Sequence, residues 1–253
     1  MCGESINLAI DFPDYHKRCL TIEGEPRTLE QHQLSRVIEA LHQETELARY
    51  LLEKIDTCGT VICLENNYSY YDFTRNLIAV NQQLSLSKQV IFFVHELRHL
   101  DQAARGFCPM LELDMLNTYS LTFASEADAQ AITTLYSWQV REEGEANLWN
   151  RLLGMEMYQD IALAFEEEML TSKDRSLATR AAFEAWYDLP SRVNAYSFQT
   201  HMSYFDRIAY GPLKSCSHLT ESASHGNLCL FPDGRNYGCH LNDTMEDFLE
   251  GAR

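Results

Sequence analysis

The stretch VIFFVHELRHLDQ, residues 90–102, decides how the chain is read. The run VIFFV on its own has the composition of a strand. Its continuation favours a helix, because Phe93, Leu97, Leu100 and Ala104 repeat at three to four residues with no glycine or proline between them. Ser85 or Ser87 can cap the start of this helix, and Gly106 supplies the stop. On a helix, His95 and His99 lie one turn apart on one face, so both imidazoles can meet a single metal ion. Glu96 is rotated by about 100° from His95, which puts its carboxylate beside such an ion, where it can take a proton from water. The bland alternative is an ordinary helix that happens to carry two His and a Glu. The apolar run before His95 argues against it, since it implies burial, and buried polar groups need partners.

Working outward, residues 28–56 carry Leu34, Ile38, Leu41, Leu47, Leu51 and Ile55 at mostly helical spacing, which predicts one or two amphipathic helices. After Gly59, the runs VICL (61–64), YSYYDF (68–73) and LIAV (77–80) read as strands, the last two joined by the turn Thr74-Arg75-Asn76. The expectation is a small antiparallel sheet ending in a hairpin. Beyond residue 110 the chain reads as helices over 113–142, 145–171, 174–187 and 191–207, with breaks near Gly144, Ser172 and Pro190. From Pro212 the composition shifts to Ser, Gly, His and Cys, so 211–253 is expected to be an irregular tail or lid after a domain spanning 1–210. The fold class expected is α+β, with the small sheet packed on the 90–102 helix and a mainly helical remainder.

A third protein ligand must come from elsewhere in the chain. Glu126 in FASEADAQA (123–131) is the strongest candidate, because Ala124, Ala127, Ala129 and Ala131 let its helix come close to a neighbour. Asp128 points to nearly the opposite side. Glu112 and Asp114 read more simply as charges that favour a helix amino terminus. Groups that could stabilise a developing oxyanion are Tyr196, His201, Tyr204 and Arg207 in YSFQTHMSYFDR (196–207), although core and rim positions are the commoner role for such residues. In the tail, Cys216, His218, His225, Cys229, Cys239 and His240 fit no regular zinc finger. One of them approaching the metal from a tail folded over the site is a further reading.

The 37 acidic and 20 basic residues give a formal charge of -17, which leaves no basic field for nucleic acid or anionic membrane surfaces. The first residues, MCGESINLAIDFPDYHKRC, lack the pattern of a secretory signal, and no window is long and apolar enough to span a bilayer. Cytoplasmic residence is therefore expected, with the eight cysteines reduced; export by a route that needs no cleaved signal is the alternative.

HELRH followed by the helical SEADA resembles the zincin metallopeptidases of the gluzincin type, in which an H-E-x-x-H helix and a later helix share one zinc. The hairpin YSYYDFTRNLIAV (68–80) resembles the zincin edge strand against which an extended substrate lies. From that hairpin through HELRHLDQ and EADAQA to AFEAWYD, over roughly 60–205, the chain more closely resembles a bacterial family of proposed metallopeptidases of unknown function. The resemblance implies a zinc-dependent peptidase with one zinc per chain, acting on a peptide or protein. It implies that His95, His99 and Glu126 bind zinc and that Glu96 is the general base. Where some gluzincins have an Asp four residues after the ligand Glu, this chain has Gln130, which leaves Asp128 or Asp101 to orient a ligand His. A binding module that keeps the shape without cutting, and a structural zinc site joining two helices, are the alternatives.

Overall fold

A computed structural model describes residues 14–41, 45–107, 115–210 and 227–238, except for the side chains of Arg207 and Tyr210. The chain divides into two compact units, Met1–Gly106 with Tyr136–Arg151, and Phe107–Leu135 with Leu152–Arg253.

In the first unit, a short helix α1 (Tyr15–Arg18) leads into strand β1 (Cys19–Leu20), and helices α2 (Leu29–Glu39) and α3 (Glu46–Cys58) follow. Thr28 and Thr45 cap these two helices, accepting from the amides of Gln31 and Ala48. Gly59 ends α3 in the left-handed conformation that glycine adopts without strain. Strands β2 (Val61–Glu65), β3 (Tyr70–Asp72) and β4 (Leu77–Asn81) then complete a four-stranded sheet in the order β1-β2-β4-β3.

This sheet is mixed, which corrects the expected antiparallel arrangement. The β3–β4 hairpin is antiparallel as read, but β4 lies between β2 and β3 and pairs parallel with β2, Val61 opposite Leu77 and Leu64 opposite Val80. The physical cause is burial on both faces. Cys19, Val61, Cys63, Leu77 and Ala79 form one apolar cluster with Tyr15 and Tyr70, while Ile62, Leu64, Ile78 and Val80 on the other face are equally buried. Strands buried on both sides read as continuous apolar runs, the mark of parallel neighbours, and VICL and LIAV are such runs. The two-residue strand β1 has no signal of its own.

Helix α4 (Leu86–Ala104) covers β3 and β4 and packs on α2 and α3. Its entry is fixed by buried Gln89, whose side-chain amide donates at 2.9 Å to the carbonyl of Asn81, the last residue of β4. Asn76, buried in the hairpin turn with a left-handed backbone, donates to the Cys58 carbonyl and accepts from Thr60, tying the hairpin to the end of α3. The helix stops where expected, with Gly106 at positive φ just past its last turn.

Helix α5 (Met115–Glu142) contributes to both units. The predicted helix over 145–171 is two helices, α6 (Asn147–Leu153) and α7 (Gln159–Ser172), the break beginning at Gly154, a residue type that costs helix interiors about 1 kcal/mol. Helix α8 (Arg175–Ala185) packs on α7, a 3-10 turn covers Trp186–Asp188, and α9 runs from Pro190 to Tyr210. In the second unit, buried Arg192 holds Asp160 through two nitrogens and donates to the carbonyls of Ala185 and Trp186.

Within the expected tail, residues 227–238 are packed rather than loose. Leu230 and Asn236 form a bridge, Leu228, Cys229 and Tyr237 are buried, and the Tyr237 hydroxyl donates to Asp128 at 2.7 Å. Cys216, His218, His225, Cys239 and His240 lie outside the described residues.

The expectation of reduced thiols is corrected. Cys19 and Cys63 are joined in a disulfide across the β1–β2 register, and Cys58 and Cys229 are disulfide-bonded as well, so none of the described cysteines is free. The sequence separation of 44 residues between Cys19 and Cys63 closes a long loop, worth about 3–4 kcal/mol if unfolded-chain entropy dominates. Replacing both residues with Ala is expected to lower the unfolding free energy by that amount in urea titration; an unchanged midpoint would reject a stabilising role.

Candidate metal centre

Helix α4 carries the motif HELRH deep in the first unit, with Val94, Leu97 and Leu100 fully enclosed. His95 and Glu96 are each 6% exposed, and His99 is half-buried. The one-turn spacing does what was expected of it. The Nε2 atoms of His95 and His99 are 3.1 Å apart, with ring centroids at 4.7 Å and the rings nearly perpendicular.

Glu126 on α5 joins them. One ligand atom from each of His95, His99 and Glu126 lies within 4.8 Å of the others, and this is the group of metal-binding character found among the described residues. Two neutral imidazole nitrogens and one carboxylate form a donor set suited to a divalent cation. The alanines flanking Glu126, at 124, 127, 129 and 131, are all buried.

A residue the sequence reading passed over completes the picture on α4. Buried Gln102 places its amide oxygen 2.8 Å from His99 Nδ1. Its only signal was the spacing of three residues from His99, which puts it on the same face.

The two carboxylates considered for that duty have other partners. Buried Asp101 accepts from the Tyr50 hydroxyl at 2.6 Å, from Arg98 at 2.9 Å and from Arg105 Nε at 3.0 Å, with Arg105 Nη2 in ion-pair contact at 2.9 Å and Lys54 at 3.8 Å. Burial alone would raise the Asp101 carboxyl, but Arg98, Arg105, the Tyr50 hydroxyl and Lys54 together hold it below the usual range. Burial and the same carboxylate push the Tyr50 hydroxyl up. Asp128, for its part, accepts from Tyr237.

Of the residues named for oxyanion stabilisation, Tyr196, His201 and Tyr204 have described side chains. Tyr196 stacks on Trp186 at 5.3 Å, and Tyr204 lies 6.0 Å from the ring of Phe205. His201 is exposed, with Nδ1 at 3.2 Å from the Tyr119 hydroxyl, which also donates to the Ser197 carbonyl. The side chain of Arg207 lies outside the described ones, as do Glu112 and Asp114. Cys229, in a disulfide, has no thiolate to offer a metal.

Because the folded-state pKa of Asp101 is depressed, its contribution to stability is present above the ordinary carboxylate value near 4 and is lost as pH falls through the lower folded value. Asp101→Asn is expected to cost ~3 kcal/mol at neutral pH by leaving buried cations uncompensated. In urea titrations at several pH values, that cost should shrink below about pH 4; a pH-independent difference would show that the ionised carboxylate is not the stabilising form.

No curated protein and no solved structure matches the chain. A family model does, over residues 14–239, and so spans the sheet, the HELRH helix, Glu126 and the 227–238 segment. With a donor set for a metal ion inside the matched region, the chain belongs to the family described as "Putative metallopeptidase family (DUF6782)".

Proposed function

We propose that this protein is a zinc-dependent peptidase that hydrolyses peptide or peptide-like amide bonds in the manner of the gluzincins, with His95, His99 and Glu126 as the metal ligands and Glu96 as the general base. The observation that carries this reading is the convergence of His95, His99 and Glu126 with ligand atoms within 4.8 Å. Family membership supports it independently. The donor set fits the ion: nitrogens bound to one tetrahedral zinc at about 2.0–2.1 Å stand about 3.3 Å apart, and those of His95 and His99 are 3.1 Å apart. Among the described residues the group has three protein ligands rather than four, which leaves room for reacting groups, as catalytic rather than structural sites do.

When bound, zinc supplies Lewis acidity, which makes water a nucleophile near neutral pH and polarises a carbonyl. Glu96 follows His95 on the helix, so its carboxylate stands to one side of the ligand face. There it takes the proton from the attacking water and delivers it to the departing amine as the C–N bond breaks, leaving a carboxylic acid and an amine. Strand β3 supports the choice of an extended peptide as substrate. Among the described residues it is an edge strand of the sheet, and an edge strand can accept a further strand through backbone hydrogen bonds. The half-buried placement of His99 and Glu126 gives solvent a route to the group.

The negative charge of -17 argues for a peptide rather than a nucleic acid partner. No described helix is long and apolar enough to cross a membrane. The disulfides favour maturation in an oxidising compartment over the cytoplasm.

Peptide-library cleavage followed by mass spectrometry should reveal the activity and its preference together. Against the best peptide, Glu96→Gln should lower kcat at least ~100-fold while the metal content stays at that of the wild type. Equal activity would reject Glu96 as the base. Loss of metal in the variant would reassign it to metal binding.

A further inference from the structure

Gln102 lies one helical turn beyond His99 on α4, is buried, and has its amide oxygen 2.8 Å from His99 Nδ1. We propose that Gln102 is a positioning residue: by accepting from Nδ1–H it holds His99 in the tautomer whose Nε2 lone pair faces the metal, an inference that rests on the metal-site reading above. The chemistry allows little else. A carbonyl oxygen only accepts, so the nitrogen it faces carries hydrogen, and a neutral imidazole then has its lone pair on the other nitrogen. That other nitrogen is the one 3.1 Å from His95 Nε2, within the group that includes Glu126. The opposite orientation of the amide would donate to Nδ1, put the proton on Nε2 and abolish ligation.

The i,i+3 spacing makes the arrangement local to one turn of helix. Burial of Gln102 keeps its amide from exchanging this partner for bulk water. A neutral acceptor also differs from the carboxylate that often backs a ligand His. It fixes the ring without adding negative charge, so the loaded site keeps the net positive charge left by two neutral imidazoles, one carboxylate and a divalent cation.

The test uses the full chain with Zn²⁺ as probe, in chelator competition, alongside nitrogen-15 NMR of the imidazoles in the metal-free protein. Gln102→Met removes the acceptor at similar length and should weaken zinc binding ~10–100-fold, with His99 shifting away from the Nδ1–H form. Gln102→Glu keeps an acceptor and should retain both the tautomer and at least wild-type affinity. Wild-type affinity in Gln102→Met, or an Nε2–H tautomer of His99 in the wild type, overturns the proposal. If Gln102→Met does not fold, the tautomer in the wild type and in Gln102→Glu decides alone. If the wild type takes up no zinc, the metal-site reading fails, and the same NMR measurement still decides whether Gln102 holds the ring.

Discussion

One turn of buried helix is the constraint on which the site depends. Residues four apart on α4 project from the same face, and that geometry alone brings His95 and His99 Nε2 to 3.1 Å. No loop closure or induced fit is needed for this pair, since the helix backbone holds it. What the rest of the first unit must do is hold the helix still. The buried rows Val90, Phe93, Val94, Leu97 and Leu100 do this through apolar burial, and Gln89 does it by its bond to the end of β4.

Electrostatics reinforce the same helix. Asp101, two residues past His99, gathers Arg98, Arg105, Tyr50 and Lys54 from α3 and α4 around one buried carboxylate. Fully buried ion pairs often contribute little net stability compared with apolar side chains, but breaking one is costly, so such a cluster favours a single arrangement over alternatives. On this helix the face that binds and the face that anchors are interleaved residue by residue, with His95, His99 and Gln102 on the first and Arg98, Asp101 and Arg105 on the second.

Much of this was legible in the chain itself. The periodicity of Phe93, Leu97 and Leu100 identified α4 despite its strand-like opening, and the alanines around Glu126 singled out that carboxylate over Asp128, Glu112 and Asp114. Other features were not legible, for separate reasons. The place of β4 between β2 and β3 is a long-range choice, signalled only by the unbroken apolarity of VICL and LIAV. The partner of Cys63 lies 44 residues away, and no spacing rule gives a pairing over that distance. Gln102 carries no such mark because a neutral amide behind a ligand His has neither the charge nor the motif that a carboxylate in that place would show. The 227–238 segment looked like loose tail because its composition is polar, whereas Leu228, Cys229 and Tyr237 supply the buried contacts.

The central claim is that a carboxylate distant in sequence completes a metal site begun by two imidazoles on one helix. Elemental analysis of wild-type protein and of Glu126→Ala, after dialysis against a moderate chelator, addresses it directly. The account predicts about one zinc per wild-type chain and a variant that folds but loses the ion, since three protein ligands are the usual complement of a catalytic site. A wild type without metal, or a variant that retains the ion as firmly, would contradict it.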